Sequence, residues 1–166
     1  MDNSYITPFV RSVASVFETM IQLPVEVGKP ALKQDAEMER CDVSGIIGMS
    51  GDVEGAIVLS FPIATAERIV TLFTGCELAD DELPDAVGEL VNMISGGAKA
   101  QFKDRQVSIS CPSVVLGEHT VTGSRNMIRI IIPCSCDCGE FYLEVALRDV
   151  AAETTTKANA ESSNAA

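Results

Sequence analysis

Two amphipathic helical stretches, each followed by three extended ones, set the architecture open to this 166-residue chain. In the first, Ile6, Phe9, Val10, Val13, Val16, Phe17, Met20 and Ile21 recur at spacings of three and four and make one apolar face. Thr7-Pro8 reads as an N-cap with proline at the first helical position, and Pro24 stops the helix. Extended stretches follow at Val25–Leu32, Cys41–Met49 and Val53–Phe61, the last two joined by a hairpin turn at Ser50-Gly51-Asp52. A spacer helix after Pro62 carries Ala66, Ile69, Val70 and Phe73 on one face and stops at Gly75. Beyond the acidic connection Cys76–Asp81, a further helix is expected over Glu82–Arg105, then strands at Val107–Leu116, Met127–Cys134 and Phe141–Leu147. No obvious identity relates the two halves, so any duplication is one of topology.

This length suits one domain with a sizeable core, expected over residues 1–150. Residues 151–166 are dominated by Ala, Thr, Ser, Asn and Glu, too little apolar surface to order a tail, which is expected to be disordered. The net charge of −12 repels phosphate backbones and anionic membranes, so nucleic acid is not the expected partner; a basic or metal-bearing protein fits better. There is no uncharged apolar run of about 18 residues to cross a membrane. Met1-Asp2-Asn3-Ser4 lacks the basic start of a signal peptide, which makes the cytoplasm the expected location and the six cysteines reduced thiols. A single histidine, His119, rules against a His-rich metal site; in the polar Gly117–Gly123 stretch it reads as a surface residue.

The stretch Asp85–Lys103 says more than fold. Projected at about 100° per residue, Val87, Leu90, Val91, Ile94, Ala98 and Phe102 fall within about 120° of one another, a core stripe of ordinary width. Asp85, Glu89, Asn92, Gly96 and Lys103 lie opposite, with Glu89 and Asn92 as neighbours on that face. A generic Glu-x-x-Asn is usually just a solvated helix face, and Glu161-Ser162-Ser163-Asn164 in the tail carries the same spacing with no meaning. Here, though, Asn is a poor helix former in mid-helix. Gly96-Gly97 interrupts the helix one turn later, at about 1 kcal/mol per glycine relative to alanine. Gly96 would let another backbone approach, whereas Gly97 suits a helix crossing inside the core. An exposed amide, a carboxylate and a flat spot describe a docking and chemistry surface.

The segment Asp85-Ala86-Val87-Gly88-Glu89-Leu90-Val91-Asn92-Met93-Ile94-Ser95-Gly96-Gly97-Ala98-Lys99 resembles the active helix of the CheC/CheX/FliY phosphatases of bacterial chemotaxis. Their pattern of an acidic residue or Ser, three residues, Glu, two residues, Asn is filled by Asp85, Glu89 and Asn92. The similarity extends to Pro8-Phe9 and Val16-Phe17-Glu18-Thr19-Met20, to the hairpin Ser44–Gly55, and to Gly139–Val145, in the order of the CheX branch. The fold this implies is α/β of the α+β type: two long helices on one face of a mainly antiparallel six-stranded sheet, in pseudo-repeated helix-plus-three-strand halves. The activity it implies is hydrolysis of the aspartyl phosphate of a CheY-type response regulator, terminating a chemotaxis or related two-component signal. Asn92 would orient the attacking water, Glu89 would pair with a lysine of the regulator, and Asp85 and Gly96 would complete the contact. Mg²⁺ would sit on the regulator, with no cofactor or metal bound by this chain. A homodimer through sheet edges is implied by the branch. A module that binds a regulator or flagellar switch component without hydrolysis is the alternative, and Asn92 speaks against it, since binding alone needs no amide.

Four features depart from or distract from this pattern. Family members often carry a proline 23 residues after the Asn; that position is Val115 here, and Pro112 comes earlier. Relatives of the CheC type carry a second Glu-x-x-Asn on the first helix, where this chain instead exposes Arg11, Ser15, Glu18 and Gln22. Cys134, Cys136 and Cys138 suggest metal or redox chemistry, but in a straight strand the outer two thiols stand ~13 Å apart, too far for one zinc with sulfurs at ~2.3 Å. Small buried hydrophobes are the better reading. Lys99 and Lys103 could meet acidic residues of a partner, or simply be favourable charges near a helix C-terminus.

Overall fold

The computed structural model describes residues 3–32, 41–76, 82–121 and 127–150. The expected tail 151–166 and most of the acidic connection, 77–81, lie outside the described residues. Helix α1 spans Asn3–Val16 and continues as a π-helical turn, Phe17–Ile21. Gln22 then adopts φ 59°, the left-handed region, and caps the turn through its N–H to the Phe17 carbonyl. The helix starts before the expected Thr7 cap, so Pro8 sits inside it rather than at its first position. Helix α2 spans Ile63–Thr74, starting after Pro62 and ending at Gly75 (φ 75°). Helix α3 spans Leu83–Lys99, starting one residue later and ending six residues earlier than expected. It ends because residues 100–105 turn back towards the sheet, helped by Asp104 at φ 60°.

Among the described residues, eight strands form one sheet: β1 Glu26–Val27, β2 Ala31–Leu32, β3 Cys41–Gly51, β4 Val53–Phe61, β5 Val107–Ile109, β6 Ser113–His119, β7 Ile130–Cys136 and β8 Gly139–Asp149. The pairings are antiparallel. The difference from six strands has a local cause. The stretch Val25–Leu32 breaks in two at Gly28 and Pro30, and Val107–Leu116 breaks around Pro112, which has no N–H for the ladder.

The sheet order is β1-β7-β8-β4-β3-β5, with β2 also on β7 and β6 also on β3. The halves therefore exchange their short first strands. The first half's β1 and β2 lie on the second half's β7, the second half's β5 and β6 lie on β3, and the last strands, β4 and β8, pair at the centre. The pseudo-repeat is thus visible as topology.

One sheet face, including Val43, Ile47, Ile57, Leu59, Phe61, Phe141, Leu143 and Val145, is covered by the helices and almost fully buried. Phe141 stacks between Phe17 at 4.9 Å and Phe61 at 5.3 Å, tying the end of α1 to the central strands. Cys134 and Cys138 belong to this core, and Cys136 packs half-buried against it. On the opposite face Arg129 and Glu144 form a buried ion pair. His119 is not the expected surface residue. It closes β6, opposite Cys41, with Nε2 2.8 Å from the Ser44 hydroxyl and Nδ1 2.6 Å from the Gly117 carbonyl. No helix among the described residues is long and apolar enough to cross a membrane.

Candidate functional site

Helix α3 is seated from two sides. Val87, Leu90, Val91, Ile94 and Ala98 are fully buried, the stripe read from the sequence. Beneath the helix, Gly45 of β3 leaves room for it: a Cβ there would lie 2.9 Å from the Val91 side chain. Beside the helix, Ser12 of α1 donates its hydroxyl to the Ile94 carbonyl at 2.7 Å. Gly97 faces that same hydroxyl so closely that a Cβ would overlap it. Gly96, in contrast, has nothing within 4 Å of where its side chain would be. The paired glycines do different work: Gly97 lets two helices cross, and Gly96 leaves the outer face flat.

That outer face brings together the residues singled out above. Asp85 and Glu89 are exposed, and Asn92 and Gly96 are half-buried on the same helix. Asp85 lies in the first turn, where a carboxylate is favoured by the helix dipole. The side chains of Asp85, Glu89 and Asn92 make no hydrogen bond or ion pair among the described residues. They are carried on a helix whose opposite face is buried and remain available to a second molecule. Arg11, Ser15, Glu18 and Gln22 are all exposed on the first helix and its π-helical turn, and form no equivalent pair.

Next to Asp85 and Glu89 lies an open groove of about 460 Å³, bounded by Pro84, Gly88, Pro112 and Val114. Gly88 lines it, and a Cβ there would meet Pro112 and Val114 at 3.6 Å, an ordinary van der Waals contact. Pro112, out of place by sequence spacing, thus lies beside the Glu89 turn of α3, while Val115 is a strand residue paired with Ser44. The groove was not read from the sequence. Its signal was Gly88 itself, a glycine in a helix interior that nothing in the periodicity requires.

Cys134 and Cys138 are buried and Cys136 is half-buried. Burial pushes the Cys134 thiol up to about 12, so it stays neutral at ordinary pH, unlike a reactive thiolate. Among the described residues no group of three or more His, Cys, Asp or Glu side chains is placed to hold a metal ion.

Comparison with known proteins places this geometry. The family model for the chemotaxis phosphatase CheX matches residues 43–135. The CheY-P phosphatase CheX of Thermotoga maritima is 29% identical over 122 residues, 70% of this chain and 78% of its own length. Among solved structures, a CheC-like superfamily protein from Shewanella sp. PV-4 superposes with a TM-score of 0.81 at 34% identity, covering 89% of this chain and 99% of the other. The CheX–CheY–BeF₃–Mg²⁺ complex of Borrelia burgdorferi gives a TM-score of 0.74 at 28% identity, covering 87% of this chain and 98% of the other.

Proposed function

The chain belongs to the CheX family of chemotaxis phosphatases, and from that premise we propose that it hydrolyses the aspartyl phosphate of a CheY-type response regulator. The observation that carries the reading is the side-by-side placement of Glu89 and Asn92, without side-chain partners among the described residues, on a helix seated by Ser12, Gly97 and Gly45. Phosphoryl transfer needs little covalent chemistry from a protein; it needs positioning and electrostatics. A neutral amide holds a water in line with the phosphorus without repelling the anionic phosphoryl group. Asn92 takes that role. Glu89, three residues back and on the same face, pairs with the regulator's lysine and so fixes where the amide enters. Asp85 and Gly96 form the rim, one by charge and one by giving way to the regulator's backbone.

An acyl phosphate is already a good leaving group, so no strong base is required of this chain. The Mg²⁺ that offsets the phosphoryl charge belongs to the regulator, in keeping with its presence in the Borrelia complex. Residues 1–150 act as one domain, in the cytoplasm, where the regulator is found.

The same reading includes a homodimer through sheet edges. Among the described residues β6 pairs with β3 alone. It exposes Val115 at 36% and Leu116 at 49%, an apolar edge strand of the kind another strand completes.

The test is to phosphorylate a CheY-type regulator with labelled phosphate and follow loss of label with and without the chain. Accelerated loss supports hydrolysis. Intrinsic decay despite binding would leave α3 as a docking surface only.

A further inference from the structure

Asp85, Asn92 and Lys99 are spaced by seven residues on α3. Seven residues close two turns to within about 20°, so the three stand in one row, each about 10 Å from the next along the axis. Glu89 lies between the first two and open Gly96 between the last two. The row therefore runs from negative, through the amide, to positive.

Four of the eight basic residues described are engaged by partners. Arg105, Arg129 and Arg148 are held in ion pairs with Asp149, Glu144 and Glu54. Arg68 donates to the Cys138 carbonyl. Arg11, Lys29, Lys99 and Lys103 are exposed and have no side-chain partner among the described residues, and of these four Lys99 is the one within α3. On a chain of net charge −12, a free cation in line with Asn92 is a local reversal of the surface field.

We propose that Lys99 is a specificity-determining residue that engages the carboxylates around the regulator's Mg²⁺, so that the charge polarity of the row sets the one direction in which the regulator lies along α3. The proposal rests on the function given above and extends it to the partner's acidic side. A protein site for Mg²⁺ is built from carboxylates beside the phosphoryl group. Those carboxylates and the phosphoryl group would be repelled by most of this acidic surface. With Glu89 over the regulator's lysine, the amide between, and Lys99 over its carboxylates, reversing the regulator end to end would put like charges together at both ends.

Binding and turnover are measured separately, on the intact chain. Affinity is read against a CheY-type regulator activated with beryllofluoride and Mg²⁺, and KM and kcat against the phosphorylated form, over a range of salt concentrations. Lys99→Glu is expected to weaken binding and raise KM roughly tenfold at low salt, an effect that shrinks as salt is added, with kcat within about twofold of wild type. Lys99→Arg should restore wild-type binding. Lys29→Glu, an equal change of charge at an exposed site away from α3, controls for net charge and should leave binding within about twofold. If Lys99→Glu binds no worse than Lys29→Glu, or lowers only the melting temperature, Lys99 is a helix-end charge and the proposal is wrong. The proposed function fails by a different result: a wild-type chain that binds the regulator without accelerating loss of phosphate.

Discussion

The hydroxyl of Ser12 on α1 donates to the backbone carbonyl of Ile94 on α3 at 2.7 Å, the point at which the two long helices are fastened. The bond is possible because Gly97, three residues further along α3, presents no side chain to Ser12. The face carrying Asn92 owes its fixed position to this contact on its reverse side.

The two adjacent glycines should therefore respond oppositely to substitution. Gly97→Val overfills the crossing and should destabilise the fold by about 1–3 kcal/mol. Gly96→Ala meets open space in a helical conformation and should leave stability unchanged or raise it by about 1 kcal/mol. It should still raise KM for a phosphorylated regulator, because it puts a methyl group on the flat spot. Urea denaturation and steady-state kinetics on the two variants check this. Equal stability losses would mean that the crossing is not at Gly97.

Much of this face was legible in the sequence because its signals are local and periodic. The stripe from Val87 to Ala98 is buried as projected, and the contrast between Gly96 and Gly97 follows from which side of the stripe each falls on. What was not legible depends on partners remote in sequence. Nothing near Gly88 announces that Pro112 will pack beside it, and nothing near His119 announces the Ser44 hydroxyl 75 residues away. The helix boundaries failed for related reasons. Pro8 reads locally as a start, yet α1 begins at Asn3. The apolar period carries on to Phe102, whose ring packs near Tyr5 and Phe9 although the helix has ended at Lys99.

Cys134 predicts an alkaline limit to stability. Burial raises its thiol from 9.0 to about 12 in the folded chain. Below 9.0 the thiol is neutral in both states and its contribution is fully present. Between 9.0 and about 12 the unfolded chain loses the proton and the folded chain keeps it, so stability falls as pH rises through that window. Cys134→Val should flatten the loss. A variant whose stability declines as steeply as wild type would remove Cys134 as a cause.

Arg129 and Glu144 form a buried ion pair, with side chains 6% and 8% exposed, and Arg129 also donates to the Val121 carbonyl. Glu144→Ala strands a buried guanidinium and should cost about 3–5 kcal/mol, while the double change Arg129→Met with Glu144→Leu should cost much less. Chemical denaturation of both settles it. A single variant no worse than the double one would show that the pair contributes little.

The most direct test of the central claim is a single-turnover comparison of wild type and Asn92→Ala on a phosphorylated CheY-type regulator, with binding measured in parallel against the beryllofluoride-activated regulator. Removing the amide should slow hydrolysis by about a hundredfold or more while affinity changes little, since a misplaced water loses its in-line geometry. Hydrolysis by Asn92→Ala at the wild-type rate, with affinity intact, would contradict the account.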